Sequence, residues 1–145
     1  MRELSPSLED YLETVYVLSK DRGFTKAGLV SERLGVSKPS VNAAIKTLAG
    51  RGLIEHKNYG SIRLPPRGLR AGAEIAARHA LLKDFFISIL DMSRARAELD
   101  ACRAEHALSR IALRRIEALA GFLKASGRTR FLSAARAAAR KGGFR

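Results

Sequence analysis

The stretch from Lys26 to Leu64 limits the fold of this chain more than any other. An apolar-periodic segment carrying Leu29, Val30 and Leu34 runs into Gly35, a residue suited to the left-handed position that ends a helix. Ser37 then stands as an N-cap, and Pro39 falls in the first turn of the next helix, where a missing amide proton costs nothing. Val41, Ile45 and Leu48 recur at helical spacing and give that helix a buried face before Gly52 closes it. Leu53 to Lys57 and Ser61 to Leu64 read as two short strands around Asn58, Tyr59 and Gly60, a hairpin with turn chemistry at its tip. Upstream, Ser5 or Ser7 caps a first helix with Leu8, Leu12, Val15 and Leu18 on one stripe, ended by Gly23. Helix, glycine turn, capped helix and hairpin in that order make a winged helix-turn-helix, whose third helix enters the major groove while the hairpin lies on the backbone.

Beyond Leu64 the pattern is helical throughout. Pro65, Pro66 and Gly68 mark a seam, after which a long helix runs to about Leu90, Asp91 to Ser93 break it, and two or three further helices follow. The expected fold is therefore mainly α: a winged helix-turn-helix domain over residues 1–64, then an all-helical domain over 65–145 with a basic C-terminal tail. A chain of 145 residues with 46% apolar content can bury a core without staples. The single cysteine, Cys102, excludes an internal disulfide framework and suits a reducing, cytoplasmic setting. Neither a secretory N-terminus nor an apolar run long enough to span a bilayer is present, so no membrane partner is expected.

Charge points to polyanions, since 27 Lys and Arg stand against 14 Asp and Glu for a net +13. The excess is C-terminal, and from Lys124 onward the chain has basic residues and no acids, so the tail reads either as a solubilising segment or as a contact for phosphate or anionic lipid. On the third helix Ser37, Lys38, Pro39, Ser40 and Asn42 lie at the end that faces base edges, with Lys46 one turn later. Arg51, Lys57, Arg63 and Arg67 fall on the helix end and wing, where cations hold phosphates without reading sequence. Winged helices can also bind protein, and charged faces are often only solvated. His56, in a wing strand, reads as a surface residue.

A second constellation has metal-ligand chemistry. Asp10 and Glu13 share one face of the first helix, Cys102, Glu105 and His106 converge on another, and His79 lies in the long helix. Carboxylates, imidazoles and a thiolate together suit manganese(II) or iron(II) better than a closed tetrahedral zinc site, although zinc or cobalt can bind such a set. Each residue also has a plainer reading. His79 shares a stripe with Ile75, Leu82 and Phe86, as a core histidine would; Cys102 can serve as a small hydrophobe; Asp10 and Glu13 complement a helix dipole; Glu105 and His106 can form a surface pair.

The stretches SPSLEDYLETVYVL, ERLGVSKPSVNAAIKTLAGRGLIEH, ARHALLKDFF and ACRAEHALS, in that order and at matching separations, resemble the diphtheria toxin repressor family of metal-dependent regulators, in particular its short manganese-regulator branch. The resemblance covers about residues 5–123. It places Asp10, Glu13, His79, Cys102, Glu105 and His106 on metal-ligand positions and Ser37, Pro39, Ser40 and Asn42 on the DNA-reading helix. It implies a homodimer formed through C-terminal helices, and Leu108, Ala112, Ile116, Leu119 and Leu123 form a seam suited either to helix pairing or to internal core. It also implies a two-domain form without the SH3-like third domain of longer members. Cys102 stands where manganese-type members often carry Glu, which opens the choice between manganese and iron. Arg94, Arg96, Arg103, Arg114 and Arg115 surround the ligand helices where relatives are often acidic, and repulsion from them is expected to weaken cation binding. LPPRG replaces the threonine-capped start of the long helix.

The expected function is a transcriptional repressor that holds double-stranded operator DNA when manganese(II) or iron(II) bridges its two domains, with no small-molecule substrate and no catalysis. The alternatives are a metal-independent winged-helix regulator and a small metalloenzyme. The latter lacks an accompanying nucleophile, extra base or glycine-rich substrate loop.

Overall fold

A computed structural model describes residues 4–57, 60–125 and 128–141, without the side chains of Lys57 and Thr129. The hairpin tip at Asn58 and Tyr59 and the last four residues of the basic tail lie outside the described residues. The chain divides into two compact units, residues 1–76 and 77–145.

In the first unit, Ser5 rather than Ser7 caps α1 (Pro6–Ser19), its side chain accepting from the Leu8 amide. α1 stops at Ser19, ahead of Gly23, and the chain then forms a strand the sequence reading did not anticipate, β1 (Thr25–Lys26). α2 (Ala27–Leu34) ends on Gly35 at φ 66, a left-handed cap that a side chain would strain. α3 (Lys38–Gly50) begins at Ser37, whose hydroxyl accepts from the Ser40 amide. The hairpin strands are β2 (Glu55–Lys57) and β3 (Ser61–Arg63), followed by α4 (Pro66–Ser88). β3 is the middle of an antiparallel sheet of order β1-β3-β2, with Ile62 opposite both Thr25 and His56. The wing is thereby tied to the end of α1 through β1. At two residues, β1 is too short to show an alternating pattern.

Leu12, Val15, Val30, Val41, Ile45, Leu48, Leu53, Ile54, Ile62, Leu64 and Ile75 form one buried cluster, the expected faces of α1 and α3 among them. Leu29 is a correction: it is half exposed. The inward stripe of α2 runs through Ala27, Val30 and Leu34, three and four residues apart, and Leu29 lies one step off it. Ile75 joins this cluster because the first turns of α4 belong to it. A Cβ at Gly68 would lie 2.0 Å from the Leu53 carbonyl oxygen, and one at Gly72 would lie 2.7 Å from the Tyr16 Cβ, so both glycines are needed for this close approach. The packing thus draws the first turns of α4 into the first unit, which extends to residue 76.

The second unit holds the rest of α4, then α5 (Arg94–Ala104), α6 (Arg110–Lys124) and α7 (Thr129–Lys141). Asp91 adopts φ 58 in the break after α4, and Ser93 and Ser109 cap the next two helices as hydrogen-bond acceptors. Leu82, Ala101 and Leu113 form its core, with Leu81, Phe86, Ala104, Leu108 and Ile116 packed against them. Leu108 and Ile116 of the expected seam therefore serve the internal core, while Leu119 stays exposed with Ile111 and Phe122. α7 packs on α6, and its Arg136 donates to the Ser88 carbonyl, supplying a partner at the C-terminus of α4. No helix among the described residues is long and apolar enough to cross a membrane.

Candidate metal centre and nucleic-acid interface

The N-terminal end of α3 presents a continuous polar surface. Ser37, Lys38, Pro39, Ser40, Asn42 and Lys46 are all exposed, while Val41, Ala44, Ile45 and Leu48 on the same helix face the core. Ser37 and Ser40 hydroxyls lie 2.8 Å apart, and the Ser37 oxygen also caps the helix, so part of their hydrogen-bonding capacity is used at home. Ala43 and Thr47 are exposed on this face too, and the sequence reading passed over them. A methyl beside an amide and two cations is the mixture that reads thymine methyls and base edges. Arg63 is exposed on β3 and lies over the Phe24 ring at 5.9 Å, while Arg51 at the end of α3 is half-buried. Arg67 is exposed in the first turn of α4, and Lys57 lies on β2 with its side chain outside the described residues.

In the second unit the metal-type side chains gather around one carboxylate. Glu105, the C-cap residue of α5, has 0% exposure, an uncommon position for a charge without partners. Its Oε2 lies 2.9 Å from His79 Nδ1 on α4, and its Oε1 lies 3.2 Å from His106 Nε2. The second contact lacks hydrogen-bond alignment, so Oε1 is a buried acceptor without a hydrogen bond. Cys102, one turn earlier and exposed, brings its Sγ within 4.8 Å of a Glu105 carboxylate oxygen. His79, Cys102, Glu105 and His106 are thus brought together as the sequence suggested. Removing a carboxylate from water is costly unless a cation or donors compensate, and two imidazoles, a thiol and an under-bonded carboxylate oxygen are a donor set that a divalent first-row ion fits. Asp10 and Glu13 lie half-buried, one turn apart on α1 in the first unit.

One residue of this neighbourhood was missed. Glu98 reaches from α5 to α4, its Oε1 3.1 Å from His79 Nε2 and its Oε2 2.5 Å from Lys83 Nζ. The Lys83 hydrogen bond holds the Glu98 carboxyl below its ordinary range, with His79 adding to the effect and slight desolvation opposing it. The signal was present as two four-residue steps, Glu98 to Cys102 and His79 to Lys83, each placing its pair on one helix face. The surrounding Arg94, Arg96, Arg103, Arg114 and Arg115 are all exposed, and Arg96 Nε donates to Asp100 at 2.7 Å. Their repulsion of a cation is therefore screened by solvent, more weakly felt than charge counting suggests.

Sequence models of two domains match this chain: the iron-dependent repressor N-terminal DNA-binding domain over residues 3–62, and the iron-dependent repressor metal-binding and dimerisation domain over residues 66–129. The chain belongs to the iron-dependent repressor family. Within that family it is similar to the HTH-type transcriptional regulator MntR of Geobacillus kaustophilus, 30% identical over 77% of this chain and 79% of the relative. The MntR of Bacillus pumilus is 30% identical over 84% of each chain. Among solved structures, a manganese-dependent transcriptional repressor in complex with manganese shares 30% identity at a TM-score of 0.73, over 79% of this chain. The T. acidophilum IdeR structure, at 23% identity and a TM-score of 0.71 over 83% of this chain, has the same fold. The chain spans about half the length of those two solved proteins, 53% and 56%. As a member of this repressor family it is a DNA-binding regulator with a metal-binding and dimerisation domain, and not an enzyme. α7 lies almost wholly beyond the family match, which ends at residue 129.

Proposed function

We propose that this protein is a cytoplasmic, homodimeric repressor that grips a symmetric DNA operator when manganese(II) or iron(II) is bound, and so governs metal-ion homeostasis. The reading rests on Glu105, a fully buried carboxylate with an oxygen left without a hydrogen bond beside His79, His106 and Cys102. Asp10 and Glu13, which belong to the DNA-binding unit, supply the remaining carboxylates. When bound, the ion would act as a Lewis-acid tie between ligands of the two units, with no bond made or broken in DNA. Cys102 adds a soft donor, which favours iron relative to an all-oxygen set.

The rest follows from the chain itself. Ser37, Lys38, Pro39, Ser40, Asn42 and Lys46 face base edges, while Arg51, Lys57, Arg63 and Arg67 position the wing and helix ends on phosphates. Two recognition helices must match half-sites about 34 to 36 Å apart for each turn of B-DNA, so restricting each subunit's internal motion removes ordering entropy before DNA arrives. A coupling of about 1 to 3 kcal/mol changes operator affinity roughly 5- to 150-fold. Fluorescence anisotropy with manganese, iron, cobalt and zinc, each compared with a chelated sample, tests this directly. Equal operator affinity with and without chelator removes the metal from the account and leaves a metal-independent winged-helix regulator.

A further inference from the structure

Glu98 is half exposed and stands outside the ligand set, yet both its oxygens are committed to α4. Oε1 accepts at 3.1 Å from His79 Nε2, and Oε2 takes Lys83 Nζ at 2.5 Å. His79 and Lys83 are four residues apart on α4 and so present side by side, and Glu98 on α5 closes across them as a clamp. A carboxylate faces each ring nitrogen, Glu98 Oε1 at Nε2 and Glu105 Oε2 at 2.9 Å from Nδ1, and each can accept an N–H; an ion held at Glu105 would take the place of the Nδ1 proton and leave Nε2–H donating to Glu98. An imidazole can face a ligand site through either nitrogen, and a ring flip exchanges them.

We propose that Glu98, itself held by Lys83, is the positioning residue that fixes both the ring orientation and the tautomer of His79. This rests on the assignment of His79 as a ligand given above, and adds to it a pair of residues that do not touch the ion. Carboxylates that accept from the far nitrogen of a ligating histidine raise its basicity and restrict its rotation, and losing one costs about 10- to 100-fold in metal affinity. Because Lys83 already occupies Oε2, Glu98 serves the imidazole rather than the cation.

The full-length chain is titrated with manganese(II), the free ion being read by electron paramagnetic resonance, and the zinc(II)-loaded chain gives the His79 tautomer by nitrogen-detected NMR. Expected results are near-total loss for His79→Ala, about 10- to 100-fold weaker binding for Glu98→Ala, recovery to within a few-fold for Glu98→Gln, whose amide oxygen still accepts from Nε2–H, and an intermediate loss for Lys83→Met. The zinc-loaded wild type carries its His79 proton on Nε2, and Glu98→Ala loses that single signature. The proposal is overturned by Glu98→Ala binding manganese like wild type while His79→Ala does not. It is equally overturned if Glu98→Gln is as weak as Glu98→Ala with no Nε2 proton in the wild type, which makes Glu98 a direct ligand. Failure of the underlying assignment looks different: wild type and His79→Ala then behave alike, and this proposal goes with it.

Discussion

Around Leu12, Leu48 and Ile62 the first unit closes a broad, mainly apolar core, whereas among the described residues of the second unit the core cluster is Leu82, Ala101 and Leu113, with a buried carboxylate, Glu105, within a turn of Ala101. The first arrangement draws its stability from area removed from water and needs nothing added. The second leaves a charge in the interior, so its stability depends on what neutralises that charge. A DNA-reading head held by apolar packing, joined to a body with an ionisable group in its interior, is a workable division for a regulator. Four of the six proposed ligands lie in the second unit, and the DNA-reading helix lies in the first.

The sharpest way to break this contrast is Leu48→Ala, which should cost about 2 to 5 kcal/mol in urea unfolding of the first unit, with the same loss in chelated and manganese-loaded samples. If loading rescues it, the two units are not distinct in what they depend on. Next in size, manganese(II) at a hundred times its dissociation constant should add about 2.7 kcal/mol of protection to amides of α5 in hydrogen exchange, and less at Leu48 and Ile45, whose unit supplies only Asp10 and Glu13 to the proposed ligand set. Uniform protection across both units would contradict the contrast. Gly68→Ala should destabilise the first unit by about 1 to 3 kcal/mol in the same urea assay, because the new Cβ meets the Leu53 carbonyl oxygen. An unchanged midpoint would mean that the start of α4 is not part of that unit's packing. The smallest effect is that of pH through Glu98, whose carboxyl is held below its ordinary 4.5 by Lys83. A depressed carboxylate stabilises the fold above the unfolded value and loses that contribution as pH falls through the folded one. Comparing ion-free wild type with Glu98→Gln by thermal melting should show a difference of less than about 1 kcal/mol at pH 7, shrinking below pH 4.5.

What could be read in the sequence was whatever repeats at a helical step or sits at a cap. Ser37 with Pro39, Gly35, and the Val41, Ile45 and Leu48 face of α3 are local signals, and all hold. The grouping of His79, Cys102, Glu105 and His106 was legible for the same reason, three of the four lying on one short stretch. What escaped depends on partners distant in sequence. β1 exists because β3 offers Ile62 and Ser61 as partners, Leu29 is exposed because the core covers only the Ala27, Val30 and Leu34 face of α2, and Glu98 matters because α4 presents His79 and Lys83 to it. The expected helix-pairing seam was split for a similar reason. Periodicity says which residues share a face, and only packing says which element covers that face.

Gly68 and Gly72 touch neither base, phosphate nor ion, yet a methyl at either runs into Leu53 or Tyr16. In a saturation library selected for repression, those two codons would tolerate as little change as the ones for His79 or Glu105. Intolerance alone would therefore mark the foot of α4 as a functional site, and only a screen that scores abundance apart from regulation would separate these two packing glycines from the residues that sense and read.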